Sequence, residues 1–283
     1  MTAANRPLRA RALRSSELML RVCSALVLVP LAIGTAYLGG WPFALFWGAA
    51  ALGVLWEWIS LVAPSEERFM LLTGGAALAL AVALAGMGHA WAAVVVLAMG
   101  ALGAAALTLA QQRAWIAGAV PYAGALAVAP MVLRTDEQDG FLALLFLFAI
   151  VWMTDIGAYF AGRALGGPKL VPQVSPNKTW AGAVGGLLGA ILVAVAIAKL
   201  AALSAVFTLA MVALALSVVA QAGDLFESFL KRRFSAKDSS HLIPGHGGLM
   251  DRLDGFVTAS AAAALIGFLR GGFEAPGRGL LVW

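Results

Sequence analysis

The sequence predicts an all-α polytopic membrane protein with about nine transmembrane helices and a cytoplasmic N-terminus. Of its 283 residues, 62% are apolar, and the mean hydropathy is +0.91. The apolar residues form runs of about 20, which is the length needed to cross a bilayer. Only 12% of the residues are charged, so a soluble globule could not cover its apolar surface with polar groups.

Nine apolar runs give the predicted helices. They cover residues 20–38, 42–62, 70–88, 90–110, 114–133, 141–161, 180–199, 202–222 and 255–270. The boundary between the third and fourth runs is weak, because it depends on Gly86, Gly88 and His89 alone. The last run is short, and it is predicted to continue back into the Asp251–Asp254 turn.

The positions of Lys and Arg determine the number of crossings. With nine crossings and the N-terminus inside, the inner segments hold fifteen of the nineteen basic residues. Fusing the third and fourth runs would place the two long polar loops opposite the basic N-terminal arm, which the positive-inside tendency disfavours. The arm, from Arg6 to Arg21, precedes a further apolar run, so we interpret that run as a retained helix rather than a cleaved signal peptide.

Composition also excludes several classes of site. The single cysteine, Cys23, cannot form an internal disulfide or a cysteine-based zinc site. The formal net charge is +5, but the basic residues lie at helix ends rather than in one soluble patch. We therefore expect a bilayer partner and no nucleic-acid partner.

The chain divides near residue 133. Residues 1–133 comprise the basic arm and five helices with few polar groups, predicted to be a lipid-facing scaffold. Its exception is Glu57, between Trp56 and Trp58, where we favour interfacial anchoring over a functional role. Residues 134–283 place polar groups at membrane depth, with inner loops at 162–180 and 223–254.

The sixth predicted helix has one polar face. Trp152, Asp155, Tyr159 and Arg163 recur at helical spacing along it. A carboxylate at membrane depth normally faces a cavity or a partner, so Asp155 is a predicted site residue. A structural ion pair with Arg163 or a loop lysine is the alternative.

The segment before the seventh predicted helix offers groups that bind phosphate. Ser175, Lys178 and Thr179 place hydroxyls and an ammonium beside the free N–H groups of a helix start. Ser or Thr at this position is usually only a helix cap, which is the alternative interpretation.

A polar seam follows the eighth predicted helix. Gln221, Asp224, Ser228 and Lys231 recur at spacings of three and four, so they share one stripe. We therefore expect this helix to continue beyond the membrane surface. An acid, a hydroxyl and a cation on one stripe suggest a site that binds a metal and phosphate.

The next segment is basic and rich in glycine. Its predicted site residues are Arg232, Lys237, Asp238, His246, Gly247 and Gly248. Glycines here permit positive φ and allow backbone N–H groups to approach an anion closely. We interpret His246 as a residue that orients or contacts phosphate rather than as a base, and His89 and His241 as loop residues.

Two carboxylates then begin the last predicted helix. Asp251 and Asp254 stand three residues apart, with Arg252 between them. Together with Asp224 from another helix, they can hold Mg²⁺, which prefers oxygen ligands and shares them with phosphates. Capping of the helix N-terminus is the alternative for either residue taken alone.

These motifs resemble the signature of the phosphatidate cytidylyltransferase (CDP-diacylglycerol synthase) family. The resemblance covers four short runs in about twenty-seven residues: Ser228 to Arg232, Lys237-Asp238, Pro244 to Gly248, and Asp251 to Asp254. The stretch from Asp155 through Thr179 and Trp180 resembles a second block of that family. Two positions depart from its pattern: Ala181 stands where many members have Glu or Gln, and Ser240 where Gly is common.

The resemblance implies that CTP and phosphatidic acid react to give CDP-diacylglycerol and pyrophosphate, with Mg²⁺ as cofactor and a second cation left open. Asp224 and Asp251 would be the metal ligands. It also implies a homodimer. The charge count places the basic loops on the inner face, so we expect the active site to face the cytoplasm, and we infer a bacterial inner membrane. The predicted catalytic residues are Asp224, Asp251, Lys237, Asp238 and Asp254. The predicted substrate-binding residues are Ser228, Lys231, Arg232, His246, Gly247, Gly248, Arg252, Asp155, Ser175, Lys178 and Thr179.

The chemistry agrees with this residue set. A phosphate monoester is largely dianionic at neutral pH, because its second pKa is about 6, so it needs no general base. The task is to align two polyanions and to stabilise charge on the leaving group. We therefore predict a polar cavity at the inner leaflet that opens laterally to accommodate acyl chains.

Three other functions are alternatives to this one. A CTP-dependent lipid kinase acting on a polyprenol-type alcohol would need a base to deprotonate a hydroxyl. A CDP-alcohol phosphotransferase would need a further downstream aspartate pair that the sequence lacks. An ion-coupled transporter would use intramembrane acids, but no inverted repeat is evident in the sequence.

Overall fold

The computed structural model describes residues 24–65, 67–108, 112–240, 242 and 247–283. The basic arm and Cys23 lie outside these residues. The described elements, in chain order, are α1 (Ser24–Leu38), α2 (Gly40–Val62), α3 (Glu67–Gly86), α4 (Ala90–Leu107), α5 (Arg113–Arg134), α6 (Gly140–Leu165), β1 (Lys169–Val171), β2 (Ser175–Thr179), α7 (Trp180–Leu200), α8 (Val206–Arg233), α9 (Met250–Gly271) and α10 (Pro276–Leu281).

The predicted all-α membrane architecture is confirmed. Within the described residues, eight helices, α2 to α9, are long and apolar enough to cross a bilayer, and α1 is a shorter apolar helix. The eighth predicted helix does continue beyond its apolar run, since α8 extends to Arg233. The last predicted helix begins earlier than its apolar run, because α9 starts at Met250 and includes the Asp251–Asp254 turn.

A small antiparallel hairpin interrupts the helices between α6 and α7. Strand β1 pairs with β2, with Lys169 opposite Thr179 and Val171 opposite Ser175. The sequence predicts a loop here, because strands of three and five residues are too short to show an alternating pattern. The backbone N–H of Trp180 donates to the Pro168 carbonyl at 3.0 Å, so the hairpin is fixed to the start of α7.

An aromatic stack joins the two halves of the chain. The Trp47 ring of α2 lies 4.7 Å from the Phe256 ring of α9 and 6.1 Å from the Phe148 ring of α6. All three side chains are buried. The helices before and after residue 133 therefore share one core.

Helices α6 and α7 approach each other closely through glycine. A methyl group at Gly157 of α6 would meet the backbone of Gly185, and one at Gly189 of α7 would lie 2.6 Å from the Met153 carbonyl oxygen. Small residues allow helix backbones to come together in this way within a membrane. The hairpin that joins these two helices is therefore held beside both of them.

Contacts between helix ends define two ends of the bundle. At one end, the Trp115 ring lies 6.2 Å from the Phe229 ring. This end also bears the hairpin and the described residues 234–240 and 247–249, and it is called the site end below. At the opposite end, Arg134 donates to the Ala36 carbonyl at 2.6 Å, and the Arg278 backbone N–H donates to Asp136 at 2.7 Å.

Candidate active site

A polar cavity of about 620 Å³ lies at the site end, between α6, the hairpin, α7 and α8. It brings together predicted site residues from three separate parts of the sequence: Asp155, Lys178 with Thr179, and Asp224. Its polar and charged lining residues are Thr154, Asp155, Tyr159, Arg163, Asn177, Lys178, Thr179, Gln221 and Asp224. The two sequence blocks that suggested the site therefore meet in one cavity.

The hairpin and α8 are joined by an ion pair. Lys178 Nζ lies 2.5 Å from Asp224 Oδ2, and both side chains are partly exposed. In contrast, the alternative ion pair between Asp155 and Arg163 is not formed among the described residues. Arg163 instead donates to the Tyr159 hydroxyl at 2.8 Å.

Thr179 caps α7. Its hydroxyl accepts a hydrogen bond from the Gly182 backbone N–H at 3.1 Å, and its side chain is buried. The cap orients the first turn of α7 toward the cavity that Thr179 and Gly182 both line. Its predicted contact with substrate stays a prediction.

Three carboxylates converge next to this cavity. Oxygens of Asp224, Glu227 and Asp254 all lie within 4.8 Å of one another. Opposite ligands of Mg²⁺ are separated by about 4.2 Å, twice the metal–oxygen distance, so the group matches the size of a cation site. Glu227 is 2% exposed, and its Oε1 is buried without a hydrogen-bond donor in the described structure. A buried carboxylate oxygen that lacks a partner is costly, and a bound cation would satisfy it, so the residues fit a divalent cation.

Lys231 connects α8 to α9. Its ammonium lies 2.8 Å from Glu227 Oε2 and 2.5 Å from Asp251 Oδ1. The cation predicted to bind phosphate therefore pairs with two carboxylates in this structure. It also fixes the start of α9 against α8.

Asp251 is hydrogen-bonded at its second oxygen as well. Oδ2 accepts from the backbone N–H groups of Ser239, at 3.1 Å, and Gly248, at 2.9 Å. Asp251 lies outside the converging group formed by Asp224, Glu227 and Asp254. The predicted Asp224–Asp251 ligand pair therefore stays a prediction, and the geometry favours a set in which Glu227 and Asp254 accompany Asp224.

Glu57 is the structural link between the first half of the chain and the site. It is fully buried, and its carboxylate accepts from the backbone N–H groups of Leu249, at 2.7 Å, and Met250, at 2.6 Å. The hydroxyls of Ser239 and Ser240 reach the same carboxylate at 3.0 Å and 2.5 Å. Glu57 therefore holds the start of α9 and the segment before it, rather than anchoring α2 at an interface.

The other predicted site residues occupy the surroundings of this centre. Arg232 donates to the carbonyls of Val174 and Ala236, which ties the hairpin to the end of α8. Ser175 and Ser228 are partly buried, whereas Lys237, Asp238 and Arg252 are exposed. His246 lies outside the described residues, as do Pro244, Gly245 and His241.

The two described glycines before α9 fulfil different needs. Gly247 has φ +86°, the left-handed conformation expected for this segment. A methyl group at Gly248 would overlap the Ser239 hydroxyl and lie 3.0 Å from Asp251 Oδ2. Both positions therefore require glycine.

We expect Gly248→Ala to destabilise the protein by about 1–3 kcal/mol, since the added methyl forces apart the Ser239, Glu57 and Asp251 side chains. Thermal unfolding in detergent measures this as a lower Tm. Gly103→Ala is the matched control, because a Cβ there has no neighbour within 4 Å. Equal Tm values for the two variants would contradict the crowding around Gly248.

Sequence reasoning missed Glu227 and misassigned Glu57. Glu227 stands three residues after Asp224 and four before Lys231, so helical spacing alone could have placed it beside both. The predicted polar seam of α8 contains Ser228, the next residue in sequence, instead of Glu227. Glu57 gave no local signal for its partners, which lie more than 180 residues later in the chain.

Comparison with known sequences completes the description. The sequence profile of the cytidylyltransferase family matches residues 19–269. A phosphatidate cytidylyltransferase of Brucella suis is 43% identical over 255 residues, which cover 89% of this chain and 94% of the relative. Proteins of the same name from Staphylococcus epidermidis and Bacillus subtilis are 44% and 43% identical over shorter stretches, covering 45% and 44% of this chain and 49% and 47% of the relatives.

Proposed function

The chain belongs to the cytidylyltransferase family, and from that membership we infer that it transfers the cytidylyl group of CTP to phosphatidic acid. The products are CDP-diacylglycerol and pyrophosphate. The observation that supports this function most directly is the polar cavity in which Lys178 of the hairpin meets Asp224 of α8. A cation and carboxylates beside free N–H groups are the components that phosphoryl-transfer sites share.

The reaction needs alignment more than it needs proton transfer. A phosphate oxygen of phosphatidic acid attacks the α-phosphorus of CTP, and the bond from that phosphorus to the β-phosphate bridging oxygen breaks. The nucleophile is already largely deprotonated, since its second pKa is about 6. The protein must therefore hold two polyanions in line and stabilise the pyrophosphate as it leaves.

The two cations of the cavity and the start of α7 have distinct parts in this proposal. Lys178 can exchange Asp224 for a substrate phosphate, because both residues line the polar cavity. The Gly182 N–H and the Thr179 cap fix the start of α7, where helix N–H groups favour anions. Arg163, held by Tyr159, supplies a second cation at the cavity wall.

Asp224, Glu227 and Asp254 would hold Mg²⁺ in this proposal, and the Glu227 oxygen that lacks a donor supports the assignment. When bound there, the ion would neutralise charge on the CTP phosphates. Lys231 would then act on the carboxylates rather than on the substrate, because it pairs with Glu227 and Asp251.

We further propose that the site end faces the cytoplasm in a bacterial inner membrane. The inner segments hold most of the basic residues, which favours this orientation, and CTP is a cytosolic substrate. A homodimer is part of the proposal through family resemblance alone.

A turnover assay tests the function. Purified protein receives CTP labelled in the cytidine, phosphatidic acid and Mg²⁺, and we expect the label to enter the lipid phase with release of one pyrophosphate per label. A second assay with γ-labelled CTP and a polyprenol tests the kinase alternative. Transfer of the γ-phosphate to the alcohol, without cytidine in lipid, would overturn the proposal, and so would the absence of turnover with either lipid.

A further inference from the structure

A chain of hydrogen bonds runs along the wall of the polar cavity at membrane depth. The hydroxyl oxygens of Thr154 in α6 and Ser217 in α8 lie 2.7 Å apart, and both side chains are buried. On the next turn of α8, the Gln221 amide nitrogen lies 3.5 Å from the Ser217 hydroxyl and 3.3 Å from the Ala183 carbonyl oxygen of α7. The chain of hydrogen bonds therefore joins three of the helices that surround the cavity.

The direction of each of these hydrogen bonds follows from the groups that accept them. The Thr154 hydroxyl donates its one proton to the Ile150 carbonyl at 2.8 Å, so Ser217 must donate to Thr154. The Ser217 oxygen then accepts from Gln221. The Ala183 carbonyl can only accept, so the amide nitrogen of Gln221, and not its oxygen, faces α7. Both amide protons of Gln221 are therefore used within the protein.

One acceptor is left over, the Oε1 oxygen of Gln221. Gln221 lines the polar cavity, and among the described residues no group donates to this oxygen. A polar group at membrane depth is costly unless it is hydrogen-bonded, so a ligand that supplies an N–H would satisfy it. Gln221 precedes Asp224 by three residues, which is about 4.5 Å along α8 away from the site end. The neutral acceptor therefore lies on the membrane side of the Asp224 carboxylate.

We propose that Gln221 Oε1 accepts a hydrogen bond from the 4-amino group of the CTP base, and that this contact selects CTP over UTP. The proposal rests on the function inferred above. The triphosphate is the part of the nucleotide that needs cations, and Lys178 and Arg163 line the same cavity. The neutral base then lies deeper, against Gln221. The cavity volume of about 620 Å³ falls within the range of about 300–1,000 Å³ that is typical of small-molecule sites.

The contact discriminates because the two pyrimidines differ at this position of the ring. Cytosine has an amino group, which donates, where uracil has a carbonyl oxygen, which accepts. With UTP, two acceptors would face each other, and the Gln221 amide cannot turn its nitrogen toward the base without losing its bond to Ala183. A site built to hydrogen-bond one group rejects an analogue that lacks it, since the polar groups of the site are then left unpaired.

Nucleotide binding in the absence of phosphatidic acid tests the contact. Equilibrium dialysis with Mg²⁺ compares the Kd of CTP with that of its pyrimidin-2-one analogue, which lacks only the amino group. For the unsubstituted protein we expect the analogue to bind about tenfold more weakly, equivalent to about 1.4 kcal/mol. For Gln221→Met, which keeps the side-chain length and removes the acceptor, we expect a difference below twofold. Gln221→Leu repeats the test if Gln221→Met does not fold.

Gln138→Met is the matched control, because it makes the same chemical change at an exposed residue of the opposite end, beside Asp136. We expect this variant to keep the tenfold difference between CTP and the analogue. A uniform loss of affinity for both nucleotides in the Gln221 variants, with the tenfold difference retained, would show a structural role alone and overturn the proposal.

The remaining outcomes are equally decisive. A difference below twofold in the unsubstituted protein would show that no acceptor reads the amino group. If Gln221→Met instead removes the penalty for binding 2′-deoxy-CTP, the donor is the ribose hydroxyl, and the proposal is wrong. Cytidine transfer into lipid without any dependence on the amino group would leave the function standing and refute the contact. The expected binding pattern in a protein that forms no CDP-lipid would do the reverse.

Discussion

Replacing Asp224 by Asn is expected to lower kcat/KM for CTP roughly 10²–10³-fold, the size of effect seen when one charge-stabilising group is removed from an active site. Asp224 is the one residue that belongs both to the converging carboxylates and to the ion pair with Lys178. The Asn side chain keeps the shape but removes the charge. Initial rates of cytidine transfer into lipid measure the loss, and activity within threefold of the unsubstituted protein would refute the site.

A titration with Mg²⁺ can distinguish the carboxylates that bind the metal from those that only lie beside it. We expect Glu227→Gln to raise the Mg²⁺ concentration needed for half-maximal rate at least tenfold, because it removes charge from the converging carboxylates. Asp251→Asn should lower stability without that shift, since Asp251 binds Lys231, Ser239 and Gly248. If Asp251→Asn raises the Mg²⁺ requirement and Glu227→Gln does not, the metal ligands are instead Asp224 and Asp251, as the sequence predicts.

Glu67→Gln is the matched control for that titration. It makes the same chemical change at the site end, where Glu67 accepts from the Trp56 indole N–H at 3.0 Å and, among the described residues, from no other group. We expect its Mg²⁺ requirement to equal that of the unsubstituted protein. A shift in this control as well would show that the titration reports surface charge rather than a metal site.

Replacing Glu57 by Ala should cost about 2–6 kcal/mol of stability and abolish activity. The substitution leaves the buried backbone N–H groups of Leu249 and Met250 without an acceptor. Each unsatisfied group costs about 1–3 kcal/mol of stability. The Ser239 and Ser240 hydroxyls can rotate toward other acceptors and add less. Because α9 would lose its anchor, Asp254 should also leave its position beside Asp224.

Thermal unfolding in detergent and protease cleavage within residues 234–249 measure these two effects of Glu57→Ala. Ser60→Ala is the matched control on the same helix, since the Ser60 hydroxyl is buried without a hydrogen-bond partner in the described structure. We expect the control to melt within about a degree of the unsubstituted protein. A Glu57→Ala variant that melts and resists protease like the control would exclude the anchoring role.

The helices and the polar half of the site could be predicted because their signals are local. Each apolar run predicts its own helix, and the spacing of Asp224, Ser228 and Lys231 predicts one face of α8. That Asp155 and Asp224 line one cavity followed only from the structure, because the close approach of α6 and α7 depends on glycines from both helices.

The role of Glu57 could not be predicted, because nothing near residue 57 indicates a partner at residue 250. Its position between two tryptophans suggested an interface, whereas the structure buries it under the turn that begins α9. The role of Ser240 could not be predicted from the local sequence either. It stood out only as a departure from the family pattern, yet its hydroxyl donates to the Glu57 carboxylate at 2.5 Å.

The contact between Glu57 and Met250 also has a consequence for biosynthesis. The ribosome finishes α2 long before it reaches the donors that satisfy Glu57, so for most of translation this helix holds an uncompensated carboxylate near the bilayer. Such a group disfavours stable insertion on its own. Glu57 can therefore gain its backbone donors only after the final quarter of the chain has emerged.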